Sequence, residues 1–214
     1  MLSMQSTDIK KIPARRPPRF DLIAGSVCLD FINTLDDRHT KPKELIENYS
    51  DLARFGEDAG LLAPGQIVRL VKLSAAAPDR AHNALHRAKE LREVIHDVFW
   101  AIINKRPVPP EALARLNKEV QIASEHLRLI PANGGFEWQF DDLTDFDGLR
   151  WRIAHAAADL LASDQLPLVR ACSSKECEWF FLDTSKNHHR RWCDMKRCGN
   201  RAKVRRFYAR NKTA

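Results

Sequence analysis

The sequence predicts an α+β protein in which a mostly helical amino-terminal domain with a few strands precedes a small carboxy-terminal module. Three observations predict this division. Apolar residues recur every three or four positions through most of residues 45–160, which is the helical period. An Asn-Gly-Gly sequence interrupts them and is typical of a β-hairpin. Four of the five cysteines lie within the last 45 of the 214 residues.

The first 35 residues predict an arm and a short extended segment. Basic residues and the pair Pro17-Pro18 indicate a flexible arm over residues 1–19. Residues 20–35 mix β-branched and aromatic residues around Gly25, which favours two short strands or a strand and a turn. Cys28 is expected there as a small buried hydrophobe. Since the chain starts with no apolar leader and has no membrane-length apolar run, we expect a cytoplasmic protein with no membrane association.

Proline and glycine divide the rest of the amino-terminal domain, which we place at residues 20–165. Residues 127–140 alternate apolar and polar side chains around the turn at 133–135 and predict a hairpin. A helix rarely continues through proline, which lacks an amide proton. The expected helices run from Leu45 to Gly60, from Pro64 to Leu73, from Pro78 to before Pro107, onward from Pro109-Pro110, and onward from Asp147 as a cap.

Charge is concentrated at the carboxy-terminal end, which we place as a separate module at residues 166–214. Residues 170–214 contain 13 Lys and Arg but only 4 Asp and Glu, whereas the preceding residues contain 22 and 24. Such a block is either a solvated tail or a surface for a polyanion. The cysteines within it favour a folded module.

Those cysteines occur as two pairs with the same spacing. Cys172-x4-Cys177 and Cys193-x4-Cys198 are separated by fifteen residues. Two such pairs can supply four thiolates to one structural Zn²⁺, and the filled tetrahedral shell leaves no position for a substrate. Disulfides and a redox pair are the alternatives. A reducing compartment disfavours the first, and the C-x-x-C spacing of thiol oxidoreductases is absent.

The segments around the cysteines predict the local fold of this module. Residues 179–182 are typical of a strand and 183–185 of its turn, and a helix follows Cys198 with Asn200 as its cap. A knuckle, a hairpin, a second knuckle and a helix is the order of a treble-clef zinc finger. Val204, Phe207 and Tyr208 share one side of the helix, and we expect them to pack on the knuckles rather than to form a base-stacking platform.

Two segments resemble known families. Residues 170–210 resemble the CGNR zinc finger, named for the tetrapeptide that here is Cys198-Gly199-Asn200-Arg201. Residues 28–38, CLDFINTLDDR, are similar to the signature of the ABATE domain, which precedes this finger in bacterial regulators of stress-response transcription. The resemblance implies a treble-clef-like finger that binds DNA, and a role in transcriptional control.

The basic residues of the finger are the candidate contacts to nucleic acid, with duplex DNA as the expected partner. A helix presents its first turn to a base in the major groove, which favours Arg201 as a reading residue, although a guanidinium bonded to the knuckle is its alternative role. The others are phosphate contacts on one face of the helix or in the loop before the third ligand. The full set is Arg190, Arg191, Arg201, Lys203, Arg206 and Arg210.

Other functions remain open at this stage. The module could bind RNA or a protein, because phosphate contacts carry no sequence information. Asn187-His188-His189 is similar to part of a His-Asn-His nuclease, but no histidine follows His189 to serve from the helix. We therefore expect a protein that is not an enzyme.

The amino-terminal signature offers a candidate site for a small-molecule effector. Asp30, Asn33, Thr34 and Arg38 are polar residues beside an apolar segment, and they either line a pocket or make turn and capping contacts. A domain of this size also favours sensing or a homodimer over a simple tether. We further expect chelation of the metal to unfold the finger and to spare the helical domain.

Overall fold

The computed structural model describes residues 17–141 and 145–211, and within these ranges the predicted, mostly helical α+β fold is confirmed. The described chain forms seven α-helices and three two-stranded antiparallel sheets. The helices are α1 (Val27–Ile32), α2 (Tyr49–Asp58), α3 (Pro64–Ala76), α4 (Pro78–Ile103), α5 (Pro110–Glu125), α6 (Gly148–Ala162) and α7 (Asn200–Asn211). The strand pairs are β1 (Leu35–Asp36) with β2 (Lys43–Glu44), β3 (Leu127–Ala132) with β4 (Gly135–Phe140), and β5 (Val169–Ala171) with β6 (Phe180–Leu182).

The helix boundaries in the amino-terminal domain follow from proline and from capping. Pro64, Pro78 and Pro110 each occupy the first position of a helix, where no amide proton is needed. The Asn48 side chain accepts from the Asp51 amide and starts α2, four residues later than expected. The predicted helices are therefore confirmed.

Helix α4 is the centre of the core. Its Leu91, Ile95 and Phe99 side chains are fully buried, and α1, α2, α3, α5 and α6 all pack against it. Each such side chain contributes about 1.5–3 kcal/mol relative to an exposed one. The same apolar cluster continues into β5 and β6 and reaches the four paired cysteines, so the helical domain and the carboxy-terminal module share one core.

The prediction of a strand within residues 20–35 is wrong, because residues 27–32 form helix α1. A short apolar run has no clear period, and this one is buried on nearly all sides, so pattern alone could not distinguish the two states. The Asp30 carboxylate accepts a hydrogen bond from the Ala24 amide at 2.9 Å and closes the turn before the helix. Gly25, with φ of +82°, allows that turn.

The predicted hairpin is confirmed, with Ala132 opposite Gly135 at its turn. Its base is attached to α6, where the Phe140 ring meets His155 edge-on at 5.6 Å. Asp147 precedes α6 as expected but makes no side-chain capping hydrogen bond. Its carboxylate instead accepts from Arg87 and Arg150.

The predicted arm falls mostly on residues 1–16, which lie outside the described residues. Two of the three residues that follow contact α2: Arg19 pairs with Asp51, and the Pro17 carbonyl accepts from Arg54 at 2.7 Å. Among the described helices, none has the length and apolar content required to cross a membrane.

Candidate metal centre and its contacts with the helical domain

The backbone of two tight turns brings the four cysteines together. Strands β5 and β6 pair with Ala171 opposite Phe180, so Cys172 and Cys177 lie in the connection between them. The Cys177 amide donates to the Ser174 carbonyl at 2.9 Å and closes the first turn. The second turn is a π-helical turn (Met195–Gly199), in which the Cys198 amide donates to Asp194.

The four sulfur atoms have the spacing of a tetrahedral zinc site. All four lie within 4.8 Å of one another and are buried. Cys193 Sγ is 3.5 Å from Cys177 Sγ and 3.6 Å from Cys198 Sγ. These distances are close to the separation of about 3.8 Å that Zn–S bonds of about 2.3 Å give between tetrahedral sulfurs. The thiols are free rather than disulfide-bonded. The residues therefore fit a single structural Zn²⁺.

The electrostatics of the cluster favour a bound cation. Hydrogen bonds from Cys177 and Cys193 lower the pKa of Cys172, and the same interactions raise the pKa of Cys177. A second thiolate at this distance is opposed by the first unless a positive charge lies between them. A bound Zn²⁺ would supply that charge and keep all four sulfurs deprotonated.

The tetrapeptide 198–201 supports the site from outside. A Cβ at Gly199 would lie 2.7 Å from the Met195 sulfur, so a side chain there would displace the Met195 side chain. Asn200 was expected to cap α7, but its φ of −67° is helical and its Nδ2 donates to the Lys196 carbonyl at 3.1 Å. Arg201 donates to Cys198 Sγ at 3.2 Å and offsets the charge of the thiolates.

The order of elements differs from the expected one in the position of the hairpin. The hairpin was expected after the first knuckle, whereas β5 and β6 flank that knuckle. Residues 183–192 then form an irregular loop. The zinc finger is confirmed, and the treble-clef detail stays a prediction.

Buried Asp183 and Arg190 organise this loop. The Asp183 carboxylate accepts from the Ser185 amide at 3.1 Å and from the Arg190 amide at 2.8 Å. Although burial opposes it, these hydrogen bonds lower the pKa of Asp183. The Arg190 guanidinium lies 4.5 Å from the Phe181 ring centroid and donates to the carbonyls of Trp192 and Cys193. The Arg190 guanidinium therefore interacts with groups of the finger itself.

Helix α7 is exposed along almost its whole length. Val204, Phe207 and Tyr208 are 53%, 61% and 63% exposed, so the expectation that they pack on the zinc knuckles is wrong. Lys203 and Arg206 are also exposed on α7.

The other side chains predicted to contact DNA differ in their exposure and in their contacts within the protein. Arg191 is exposed, with its guanidinium 5.5 Å from the Trp192 ring centroid. Arg201 lies 3.8 Å from Glu176, which also pairs with Arg205. The side chain of Arg210 lies outside the described residues, although its backbone belongs to α7.

The signature segment of the amino-terminal domain, residues 28–38, is hydrogen-bonded to the zinc finger. Asn33 Nδ2 donates to the Phe180 carbonyl and its Oδ1 accepts from the Phe180 amide, both at 2.9 Å. The Leu182 amide donates to the Ala24 carbonyl at 2.7 Å. The edge of β6 that faces away from β5 is thus paired with the helical domain.

The other candidate effector residues also have protein partners. Asp30 closes the turn before α1, and Arg38 pairs with Glu93 on α4. Thr34 Oγ1 donates to the Phe31 carbonyl and accepts from Arg92. The cleft beside Asn33 and Arg38 measures about 10 Å³, the size of one water. Effector binding by these four residues stays a prediction, and their contacts give them a structural role.

Several interface residues were not anticipated from the sequence. The His96 ring is stacked on Phe180 at 5.4 Å, and Trp179 Nε1 donates to Asp36 Oδ1 at 2.7 Å. Arg197 pairs with Asp21 and lies over the Trp179 ring. One signal was available: four consecutive apolar residues, 179–182, exceed what one face of a small sheet can bury, which indicates a second partner.

The comparisons with known proteins agree with this arrangement. Residues 25–164 match the ABATE family model, described as "Putative stress-induced transcription regulator", and residues 169–211 match the CGNR zinc finger. A search of curated proteins found no match to the chain. The family boundary at 164–169 falls just before β5, the first strand of the metal module. The chain therefore belongs to the ABATE family, and its carboxy-terminal CGNR zinc finger forms a single zinc site.

Proposed function

We propose that the protein is a DNA-binding transcription regulator whose zinc finger contacts duplex DNA through α7. The observation that carries the proposal is the exposure of this helix, which starts beside the last zinc ligand and extends for twelve residues, about 18 Å. A helix that is polar on nearly every side and this short is marginal by itself. The major groove of DNA admits a helix of these dimensions.

The charges of α7 divide it into two sides. Arg201 and Arg205 face Glu176 and the metal, so their charge is partly compensated within the finger. Lys203 and Arg206 lie three positions apart on another side and are exposed. Phosphates would therefore be contacted by Lys203 and Arg206 rather than by the two arginines next to Glu176.

The loop before the second knuckle supplies a neighbouring basic surface. Residues of this loop line a concavity of about 500 Å³. Its lining combines cations with apolar surface, a composition that suits a sugar-phosphate backbone. The lining residues are Ser185, Lys186, Asn187, His189, Arg190, Arg191, Trp192 and Met195.

Exposed aromatic side chains favour a nucleic acid over a merely solvated basic tail. Phe207 and Tyr208 lie edge to face at 5.8 Å, next to Arg206. Aromatic surface beside exposed cations is typical of proteins that contact sugars or bases as well as phosphates. A solvated helix would gain nothing from keeping these rings in water.

Salt titration tests the proposal. Each lost phosphate contact should flatten the slope of log K against log[salt] on duplex DNA by about 0.9, so Lys203→Ala/Arg206→Ala should flatten it by about 1.8. Arg115→Ala/Lys118→Ala makes the same charge change at exposed positions of α5 and is the matched control. An unchanged slope and affinity for the first double variant would remove α7 from the interface.

Competition separates DNA from the alternative partners. Duplex DNA, duplex RNA and tRNA are compared at one fixed salt concentration, because affinities at different salt cannot be compared. Tighter binding of either RNA would favour an RNA-binding module. Failure to bind any of the three at 50 mM salt would favour a protein-binding one.

We propose a non-enzymatic role, since four thiolates fill the zinc shell and leave no coordination position for water. His188, one of the histidines that suggested a nuclease, is bound through Nδ1 to the Asp183 carbonyl at 2.8 Å. Supercoiled plasmid incubated with the protein and Mg²⁺ should stay intact. Nicking that disappears in His189→Ala would overturn this part of the proposal.

Effector control would act through the contact between the two domains. A ligand that displaces α1 would also displace β6, because Asn33 and Ala24 are bonded to that strand. A thermal-shift screen of metabolites, followed by DNA titration with any hit, tests this idea. A hit that raises the unfolding temperature and leaves DNA affinity unchanged would contradict it.

A further inference from the structure

The β3–β4 hairpin carries an apolar face that the described chain covers only at its base. Directly opposed residues of an antiparallel pair lie on one face, and alternate pairs share it. The pairs Leu127–Phe140, Leu129–Trp138 and Pro131–Phe136 therefore line a single side. Leu129, Trp138 and Phe136 are 54%, 65% and 70% exposed.

The opposite face is the polar one, with the pairs Arg128–Gln139 and Ile130–Glu137. Water reaches both faces of the outer part of the hairpin, so its larger and more apolar side chains lie in water without a partner among the described residues. A two-stranded hairpin is at best marginally stable alone. It becomes stable when another element covers its apolar face.

We propose that this face packs against the same face of a second copy of the chain and forms a homodimer. The two hairpins would stack face to face about 10 Å apart, as sheets do in a sandwich. Packing through the faces rather than the edges is favoured because Pro131 lies in β3 and offers no amide proton to an added strand. The proposal does not depend on DNA binding.

Charge favours a second copy over a nucleic acid. Residues 127–141 contain Arg128, Glu137 and Asp141, so this surface has no positive excess to attract phosphate. The apolar face itself carries no charged side chain, and Arg128 and Glu137 on the opposite face have opposite signs. Such a patch can meet itself across a two-fold axis, where the interface is the same surface on both subunits.

The exposed area is of the right order. An aromatic side chain can bury about 150–250 Å², so covering Phe136, Trp138 and Leu129 would remove roughly 300–400 Å² from water per chain. A standard interface buries about 800 Å² per partner, with an apolar centre and a polar rim. The hairpin face accounts for the centre of such an interface.

Sedimentation equilibrium of the zinc-loaded full chain without DNA tests the proposal. At 10–100 µM the mass should be twice that of the 24.5 kDa chain. Trp138→Ser should raise the dimer dissociation constant about 30-fold, the effect of one central aromatic residue. The double variant Phe136→Ser/Trp138→Ser should be monomeric across this range.

Glu137→Ser/Gln139→Ser changes exposed residues of the same strand on its opposite face and should remain dimeric. Leu129→Lys, on the partner strand, provides an independent disruption if the aromatic double variant does not fold. A monomeric wild type at 100 µM would overturn the proposal. So would a dimer that persists in both Phe136→Ser/Trp138→Ser and Leu129→Lys, or one that the Glu137/Gln139 control also abolishes.

Discussion

Asn33 and Phe180, 147 positions apart in the chain, are joined by two hydrogen bonds of 2.9 Å between the Asn33 carboxamide and the Phe180 backbone. The side chain pairs with β6 as a neighbouring strand would, on the edge opposite β5. Because both groups of Phe180 are buried there, no water can replace Asn33 without rearrangement. The signature of the helical domain and the zinc finger therefore form one interaction unit.

Removing this carboxamide should destabilise the whole protein. Asn33→Ala leaves a buried amide and a buried carbonyl unpaired, so the free energy of unfolding should fall by about 2–4 kcal/mol. Urea denaturation with zinc present measures it. Asn187→Ala, at an exposed position of the finger loop, is the control and should change little. A loss below about 0.5 kcal/mol for Asn33→Ala would show that the contact is not formed in solution.

The metal site predicts one zinc per chain. Cys172→Ser and Cys198→Ser each remove a ligand and should abolish retention of the metal, measured by elemental analysis of purified protein. Cys28→Ala is the matched control, since Cys28 is a buried free cysteine outside the cluster, where burial raises the pKa of its thiol to about 12. Less than half a zinc per chain in metal-replete wild type, or two disulfides, would contradict the site.

Chelation should weaken the helical domain as well as the finger. The sequence led us to expect two independent units, but Phe180, Phe181 and Leu182 belong to the shared core and β6 is pinned to α1. Thermal unfolding followed by circular dichroism at 222 nm, with and without a zinc chelator, measures the effect. We expect the helical transition to move to lower temperature. A helical transition at an unchanged temperature would indicate that the two parts fold separately.

Arg201 should act on the metal rather than on DNA. Its hydrogen bond to Cys198 raises the pKa of the guanidinium and offsets thiolate charge. Arg201→Ala should lower zinc affinity by about 10–100-fold, as removal of such supporting contacts does. Competition with a chromophoric chelator measures this, and Arg206→Ala should leave zinc affinity unchanged. Equal zinc affinity in the Arg201 variant and wild type would assign Arg201 to another role.

Asp30 should make stability depend on pH. Burial raises the pKa of this carboxyl to about 6, partly countered by hydrogen bonds from Ala24 and Ile23. The folded state then binds the proton of this carboxyl more tightly than the unfolded state does. The bound proton therefore stabilises the fold, and this stabilisation is lost as pH rises through 6. Relative to Asp30→Asn, the free energy of unfolding of wild type should fall by about 1 kcal/mol from pH 5 to pH 7.5. A pH-independent difference would contradict the raised pKa.

Local chemistry explains which parts of the fold the sequence predicts. Pro64, Pro78 and Pro110 mark helix starts whatever packs around them, and Gly134 allows the hairpin turn with φ of +83°. Residues 27–32 were misassigned because their state depends on burial by α4, α6 and β6, elements that lie far away in sequence. Asn200 is of a residue type that often caps a helix. The π-helical turn before it starts the helical segment earlier, at Met195, so Asn200 lies inside that segment.

The metal site was predictable and its surroundings were not. The spacing of cysteines follows from the reach of a turn, so it remains visible in the sequence. The contacts of Asn33 with Phe180 and of Trp179 with Asp36 join residues more than 140 positions apart. A single sequence contains no pattern for such pairs. The exposure of Val204, Phe207 and Tyr208 depends on the direction in which α7 leaves the knuckle, which apolar spacing cannot supply.

The pairing of β6 on both edges limits how this finger can be reused. A finger moved onto an unrelated protein would lose Asn33, His96 and the Ala24 carbonyl together, and the Phe180 ring would meet water. A functional chimaera would need to carry α1 and part of α4 with the metal module. Residues 169–211 moved alone onto an unrelated protein should therefore fail to form a stable finger.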